Sequence, residues 1–100
     1  MEEKVFVYGT LSDPKIQVKL LGRAVKTYPD ILVGYEMSTI EINQNMYSIV
    51  IEKLNGPQIS GKVIIVEEED LNKIDEYETD AYRRKKVTLK SGMMAWIYQK

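Results

Sequence analysis

Apolar residues in this chain recur in short runs separated by turn-forming residues, a pattern typical of a β-rich fold. The first run, at residues 4–8, predicts an opening strand. Comparable apolar or alternating runs predict five further strands, at residues 31–37, 46–52, 58–66, 84–89 and 93–98. A Lys-Ser-Gly turn at residues 90–92 predicts that the last two strands form a hairpin. Gly61, inside the fourth run, predicts a bulge or bend.

Two stretches follow the repeat of a helix instead. Residues 14–21 form the first, with Asp13 as the expected N-cap, Pro14 at the first position and Gly22 just past the end. Residues 68–77 form the second, which opens with three carboxylates where the helix dipole favours negative charge. Six strands and two short helices predict an α+β fold built on a small curved, mixed β-sheet or β-barrel.

Composition narrows the chemistry that this chain can perform. One hundred residues are enough for one domain, which we place at residues 1–100. The chain contains no Cys and no His, which excludes thiol nucleophiles, disulfides, a Ser-His-Asp triad and most zinc or transition-metal sites. We therefore expect no metal and no cofactor, and an acid or base drawn from carboxylates, Lys or Tyr.

Charge and hydropathy also limit the partners and the location. No stretch approaches the ~20 apolar residues that cross a bilayer, and the N-terminus lacks the basic and apolar segments of a signal peptide. We expect a cytoplasmic protein without membrane contact. The net charge of −1 argues against nucleic acid as a partner. The basic run at residues 83–86 is interpreted as a solvated strand edge, with contact to a polyanion as the lesser alternative; the oligomeric state stays open.

The end of the first strand is the first candidate ligand site. Tyr8, Gly9, Thr10 and Leu11, which we call the 8–11 loop, connect this strand to the start of the first helix. Such a connection leaves backbone N–H groups and the positive end of a helix dipole at one strand edge, where an anion can bind. The alternative is a turn with a purely structural role.

Glu78 is the candidate for proton transfer. Leu71 and Ile74 mark the buried stripe of the second helix, and four residues further the same stripe reaches Glu78. Burial and the negative end of the helix dipole both raise the pKa of a carboxyl there, as suits a general acid or base. Two alternatives stay open: Glu78 lies beyond the helix in solvent, or it forms a structural ion pair with Arg83 or Arg84.

The tyrosines at positions 8, 77, 82 and 98 are interpreted as amphipathic core residues rather than as acids.

In these features the chain resembles the gamma-glutamylcyclotransferase-like superfamily, most closely its short gamma-glutamylamine cyclotransferase-like members. The matching segments include Val5-Phe6-Val7-Tyr8-Gly9-Thr10-Leu11, Asp13-Pro14, Leu20-Leu21-Gly22, Gly34-Tyr35, Gly61-Lys62-Val63, Ile74-Asp75-Glu76-Tyr77-Glu78, Tyr82-Arg83 and Ala95-Trp96-Ile97-Tyr98. The chain departs from the family pattern in two places. Tyr47-Ser48-Ile49 stands where the family often has Tyr-Pro-Ala, and Thr79 stands where a Gly often follows the catalytic Glu.

The resemblance implies an enzyme that acts on a small gamma-glutamyl substrate. In that reaction the α-amino group of the substrate attacks its own γ-carbonyl, and 5-oxoproline and a free amine are released. The resemblance assigns the catalytic carboxylate to Glu78 and the binding of the glutamyl part to Tyr8, Gly9, Thr10 and Leu11, with no metal. The alternative is a non-catalytic module on the same fold that binds a small metabolite or a protein.

Overall fold

The computed structural model describes residues 2–79 and 81–99; Met1, Asp80 and Lys100 lie outside the described residues. In chain order the strands are β1 (Glu2–Val7), β2 (Thr27–Leu32), β3 (Tyr35–Ile42), β4 (Asn45–Glu52), β5 (Ile59–Glu67), β6 (Arg83–Thr88) and β7 (Met94–Gln99). The helices are α1 (Pro14–Leu21) and α2 (Glu68–Glu78), and one turn of 3-10 helix covers Thr10–Ser12. The predicted α+β class is confirmed. Neither helix among the described residues is long and apolar enough to cross a membrane.

Five strands form one sheet in the order β2-β5-β1-β7-β6, and β3 and β4 form a separate hairpin. The sheet is mixed as predicted, because β1 is antiparallel to β5 and parallel to β7. The barrel alternative is wrong for the described residues. Strands β2 and β6 stay at opposite edges of the sheet, and β3 and β4 pair only with each other, so the sheet does not close.

The run at residues 31–37 is two strand segments rather than the single strand that its apolar pattern predicts. Strand β2 ends at Leu32 and β3 begins at Tyr35. Gly34, between them, has φ of +81°, a left-handed conformation that glycine adopts without steric cost. The chain therefore leaves the five-stranded sheet at this point and enters the hairpin, and the total is seven strands among the described residues instead of six.

Gly61 does not mark a bulge. Gly61 pairs with Asp30 of β2 in a continuous register, so the expected bulge is wrong. A Cβ atom at Gly61 would lie 2.6 Å from Cζ of Phe6 and 2.6 Å from the backbone oxygen of Val7. Since Phe6 is buried in the core, close packing requires a glycine here.

Helix α1 follows the prediction and also supports the 8–11 loop. Asp13 accepts a hydrogen bond from the Lys15 N–H at 2.9 Å, and Gly22 ends the helix with φ of +81°. Gln17, a polar residue within the helix, is fully buried. Its amide nitrogen donates to the carbonyl oxygen of Leu11 at 3.0 Å, which fixes the end of the 8–11 loop against α1.

Helix α2 packs Leu71 and Ile74 against β1 and β5 and so directs its last turn towards the end of β1. At its N-terminus, Asp70 accepts hydrogen bonds from the Glu67 N–H at 2.8 Å and from Arg23 Nη2 at 2.6 Å. The hydrogen bond from Arg23 lowers the pKa of Asp70. The helix continues to Glu78, one residue past the predicted end, so Glu78 belongs to its last turn.

The basic run lies on β6, an edge strand, as the strand-edge interpretation predicts. Three of its cations face carboxylates: Arg84 Nη1 is 3.6 Å from Asp75 Oδ2, Lys86 Nζ is 3.8 Å from Glu3 Oε1, and Lys85 pairs with Glu52. Arg84 and Lys86 also lie over the ring of Trp96 on β7. The positive charge of this run is therefore largely compensated within the fold.

Candidate active site

A pocket of about 410 Å³ opens where the 8–11 loop, the last turn of α2, the tip of the β3–β4 hairpin and the end of β7 meet. Its described lining consists of Phe6, Val7, Tyr8, Gly9, Thr10, Leu11, Ile42, Asn43, Met46, Tyr47, Ser48, Tyr77, Glu78, Thr79, Tyr82 and Tyr98. The structure thus brings all five candidate site residues of the sequence, Glu78 and the 8–11 loop, into one cavity.

Glu78 is partly buried in this pocket. Burial raises the pKa of Glu78 to about 7. Among the described residues its carboxylate has no ion-pair partner; Arg84, one of the two partners considered from the sequence, lies near Asp75 instead. The solvent-exposed alternative and the ion-pair alternative are both wrong for the described residues. Glu78 is a carboxyl that gains and loses a proton near neutral pH inside a cavity, which is the property required of a proton shuttle.

Three tyrosines that line the pocket together with Glu78 donate hydrogen bonds from their hydroxyl groups to protein acceptors. Tyr8 donates to the carbonyl oxygen of Tyr98, Tyr98 donates to Asp75 Oδ1 at 2.6 Å, and Tyr82 donates to the carbonyl oxygen of Ser48 at 2.8 Å. Burial, with a smaller contribution from the charge of Glu78, raises the pKa of Tyr8 and of Tyr82, so both stay neutral. These phenol oxygens therefore have only lone pairs left to offer a ligand.

The core interpretation of the tyrosines holds for Tyr98, which is buried, and fails for Tyr77, which is 40% exposed and lines the pocket. The hydroxyl of Tyr77 lies 2.7 Å from Thr10 Oγ1. This hydrogen bond ties the last turn of α2, and with it Glu78, to the 8–11 loop.

Besides the hydroxyl groups of Tyr8 and Thr10, the 8–11 loop presents backbone groups to the pocket. Gly9 precedes the single 3-10 turn and provides no side-chain cap, and Ser12 N–H donates back to the Gly9 carbonyl oxygen at 3.0 Å. The first amide groups of such a turn, those of Thr10 and Leu11, have no acceptor inside it. A Cβ atom at Gly9 would meet no protein atom within 4 Å. The space next to this backbone is therefore open.

The opposite wall of the pocket comes from the β3–β4 hairpin and was not identified from the sequence. Ile42, Met46, Tyr47 and Ser48 contribute to it. Asn43 and Gln44 form the tight turn between the strands, with φ values of 50° and 70°. The only sequence signal for this wall was the departure from the family pattern at Tyr47-Ser48-Ile49, which lies on β4 within or next to the pocket lining.

Thr79, the second departure from the family pattern, directly follows Glu78 and has φ of 63° and ψ of −173°. A β-branched residue is strained in this region, which is essentially restricted to glycine. We predict that Thr79→Gly raises the free energy of unfolding by about 1 kcal/mol, because relief of strain outweighs the added freedom of the unfolded chain. Urea denaturation of the variant and of a Thr88→Gly control, in strand β6, measures this; equal destabilisation of both would contradict it.

A smaller recess of about 310 Å³ adjoins the pocket and shares Thr79, Tyr82 and Tyr98 with it. Asp75 and Arg84 complete its lining. Asp75 accepts the hydroxyl proton of Tyr98, so the recess lies behind the tyrosine that lines the main pocket. Within residues 2–79 and 81–99, no group of three acidic side chains is arranged to hold a metal ion.

Comparison with known proteins agrees with this geometry. Residues 5–100 match the family Gamma-glutamyl cyclotransferase, AIG2-like. Over 81 residues the chain is 32% identical to Protein AIG2 C of Arabidopsis thaliana, a match that covers 80% of this chain and 47% of that protein. The chain thus spans about half the length of this curated relative.

Solved structures share the fold. The solution structure of At3g28950.1 from Arabidopsis thaliana is similar with a TM-score of 0.82 at 25% identity, over 99% of this chain and 62% of that one. A solved gamma-glutamyl cyclotransferase is similar with a TM-score of 0.79 over 99% of this chain and 66% of that one; at 13% identity this likeness concerns the fold alone. The chain belongs to the gamma-glutamyl cyclotransferase, AIG2-like family, and the resemblance found in the sequence is confirmed.

Proposed function

We propose that this protein is a cofactor-independent gamma-glutamyl cyclotransferase that converts gamma-glutamyl amides into 5-oxoproline and a free amine. The observation that carries the proposal is Glu78, a partly buried carboxyl with a pKa raised by burial to about 7, in one pocket with the 8–11 loop. Family membership and the fold of the solved gamma-glutamyl cyclotransferase support it.

The reaction makes few demands on the protein because the substrate supplies its own nucleophile. The α-amino nitrogen forms a bond to the γ-carbonyl carbon, and the bond from that carbon to the amide nitrogen breaks. Folding the substrate into the reactive shape contributes roughly 7–11 kcal/mol in well-oriented intramolecular reactions. A chain without Cys or His can therefore catalyse this step if it holds the substrate folded and moves protons.

Proton movement is the role that we assign to Glu78. The α-ammonium group starts with three protons, and the lactam nitrogen keeps one. The other two leave on the amine nitrogen, which departs as an ammonium ion. Glu78 takes each proton from the attacking nitrogen and passes it to the leaving nitrogen, so the carboxylate is regenerated. A pKa of about 7 suits both directions of transfer at neutral pH.

The glutamyl part has two charged groups, and the pocket has a suitable region for each. We assign the α-ammonium group of the substrate to Glu78 and to the phenol oxygens of Tyr8 and Tyr98, which can accept hydrogen bonds. We assign the backbone N–H groups of Thr10 and Leu11 to bind either the α-carboxylate of the substrate or the oxyanion that develops during the reaction. Open space at Gly9 lets the substrate approach this backbone.

The test is release of 5-oxoproline from gamma-glutamyl methylamide and from glutathione, with the amine product measured alongside. We expect 5-oxoproline and amine in equal amounts. N-acetyl-gamma-glutamyl methylamide is the matched control, since its blocked α-nitrogen cannot cyclise. Release of glutamate, or of amine from the acetylated substrate, would show hydrolysis and contradict the proposal. Binding of either amide without any product would favour the non-catalytic module.

A further inference from the structure

The β3–β4 wall is the part of the pocket that the glutamyl chemistry does not use. Its large side chains are mainly apolar, and two of them are exposed: Met46 is 61% exposed and Tyr47 40% exposed, whereas Ile42 is partly buried. Across the mouth, Tyr77 adds a second exposed ring. Exposed apolar groups gathered around one cavity lose contact with water when an apolar ligand enters.

The described lining of the pocket contains acidic and acceptor groups but no basic side chain. Glu78 is the only carboxyl among the described lining residues, and no Lys or Arg is among them. The oxygens of Tyr8, Tyr82 and Tyr98 add lone pairs, because their protons are already donated to protein acceptors. A negative group in this cavity would therefore meet one carboxyl and three acceptor oxygens, and the described lining offers it neutral hydrogen-bond donors but no cation.

The backbone N–H groups of the 8–11 loop can bind one carboxylate or oxyanion, and the glutamyl part of the substrate already supplies that group. An amine half that carries a second carboxylate, as an amino acid or the cysteinylglycine of glutathione does, would have no cationic partner in the described lining. An amine half with an ammonium group at its far end would lie beside the apolar side chains of Met46 and Tyr47. No carboxylate in the described lining would pair with it, since Glu78 is engaged at the reacting nitrogens.

From this arrangement we infer that the amine half of the substrate is an uncharged apolar amine, aliphatic or arylalkyl, bound against Ile42, Met46 and Tyr47 of the β3–β4 hairpin. The inference rests on the proposed cyclotransferase function and specifies its substrate class. In the hairpin register Ile42 pairs with Asn45 and Ile40 with Tyr47, so Ile42 and Tyr47 share one face of the hairpin. Met46 lies next to the turn and also lines the pocket.

Two matched substrate pairs test the inference by kcat/KM for 5-oxoproline release, with gamma-glutamyl methylamide as reference. Gamma-glutamyl phenethylamide differs from gamma-glutamyl-phenylalanine only by the carboxylate. Gamma-glutamyl pentylamide differs from the 5-aminopentylamide only by the terminal ammonium group. We expect the uncharged member of each pair to be preferred at least tenfold, and both uncharged amides to exceed the methylamide.

Two variants test whether the preference for apolar amides depends on the β3–β4 wall. Met46→Gln is expected to lower the phenethylamide-to-methylamide ratio of kcat/KM at least fivefold. Met37→Gln is the control, because Met37 lies on the same hairpin, is 44% exposed and does not line the pocket; its ratio is expected to match the wild type. Equal rates within both substrate pairs would overturn the inference while the proposed function stands. No 5-oxoproline from any amide, including the methylamide, would overturn both.

Discussion

Glu78→Gln is expected to lower kcat/KM for 5-oxoproline release by about 10²–10⁴-fold, the usual contribution of a positioned general acid or base. Glutamine has nearly the same shape as glutamate, so the pocket keeps its volume and the substrate still binds. The amide cannot accept a proton from the attacking nitrogen, and the loss should therefore appear in kcat much more than in KM. Steady-state kinetics with gamma-glutamyl phenethylamide and methylamide measure this.

The matched control is Glu76→Gln, on the same helix two residues earlier. Glu76 is exposed and does not line the pocket, so we expect its variant to keep kcat and KM within twofold of the wild type. A Glu78→Gln variant that folds and still turns over at the wild-type rate would show that the reaction uses another proton acceptor. Equal losses in both variants would point to a general effect of removing negative charge.

The same substitution is expected to make stability less sensitive to pH. Because burial raises the pKa of Glu78 from 4.5 to about 7, the unfolded chain releases this proton at lower pH than the folded chain. Between these values the folded state holds more protons, so the free energy of unfolding falls as pH rises. With allowance for partial exposure, wild type should lose about 2 kcal/mol relative to Glu78→Gln between pH 5 and pH 8.

Urea denaturation of both proteins at pH 5 and pH 8 measures this difference. The desolvation of the glutamine amide is the same at both pH values, so it cancels in the comparison. Glu76→Gln again serves as control and should follow the wild type within about 0.5 kcal/mol at each pH. If wild type instead gained stability over Glu78→Gln towards pH 8, the carboxylate would have a stabilising cationic partner, and its role as a buried proton shuttle would be contradicted.

The parts of the site that the sequence predicted are those that local periodicity determines. Leu71 and Ile74 define a helical stripe, and a stripe of known period can be extended by one turn to Glu78. The 8–11 loop was predicted from another local signal: a strand pattern ends shortly before a helix with clear N-terminal signals begins. Local signals also gave the bounds of α1, Pro14–Leu21, through its capping residues Asp13 and Gly22.

The parts that were missed depend on contacts between distant segments. Periodicity at residues 31–37 indicates burial but does not show that the chain leaves one sheet for another at Gly34. The apolar wall at Met46 and Tyr47 becomes part of the site only because the hairpin lies against the end of α2 and the 8–11 loop. Gln17 gave no sign of burial, because its two partners, the Leu11 carbonyl and the Val25 N–H, lie in other segments.

The parallel pairing of β1 with β7 has a consequence for how the protein folds during synthesis. These strands are neighbours in the middle of the sheet although Val5 and its partner Trp96 lie at opposite ends of the described chain. While the ribosome still holds residues 94–99, β1 can pair only with β5, and β6 has no strand beside it. The Tyr8–Tyr98 hydrogen bond beside Glu78 forms only after that segment has emerged. Nascent chains should therefore complete the pocket in a late, slow step dominated by distant contacts.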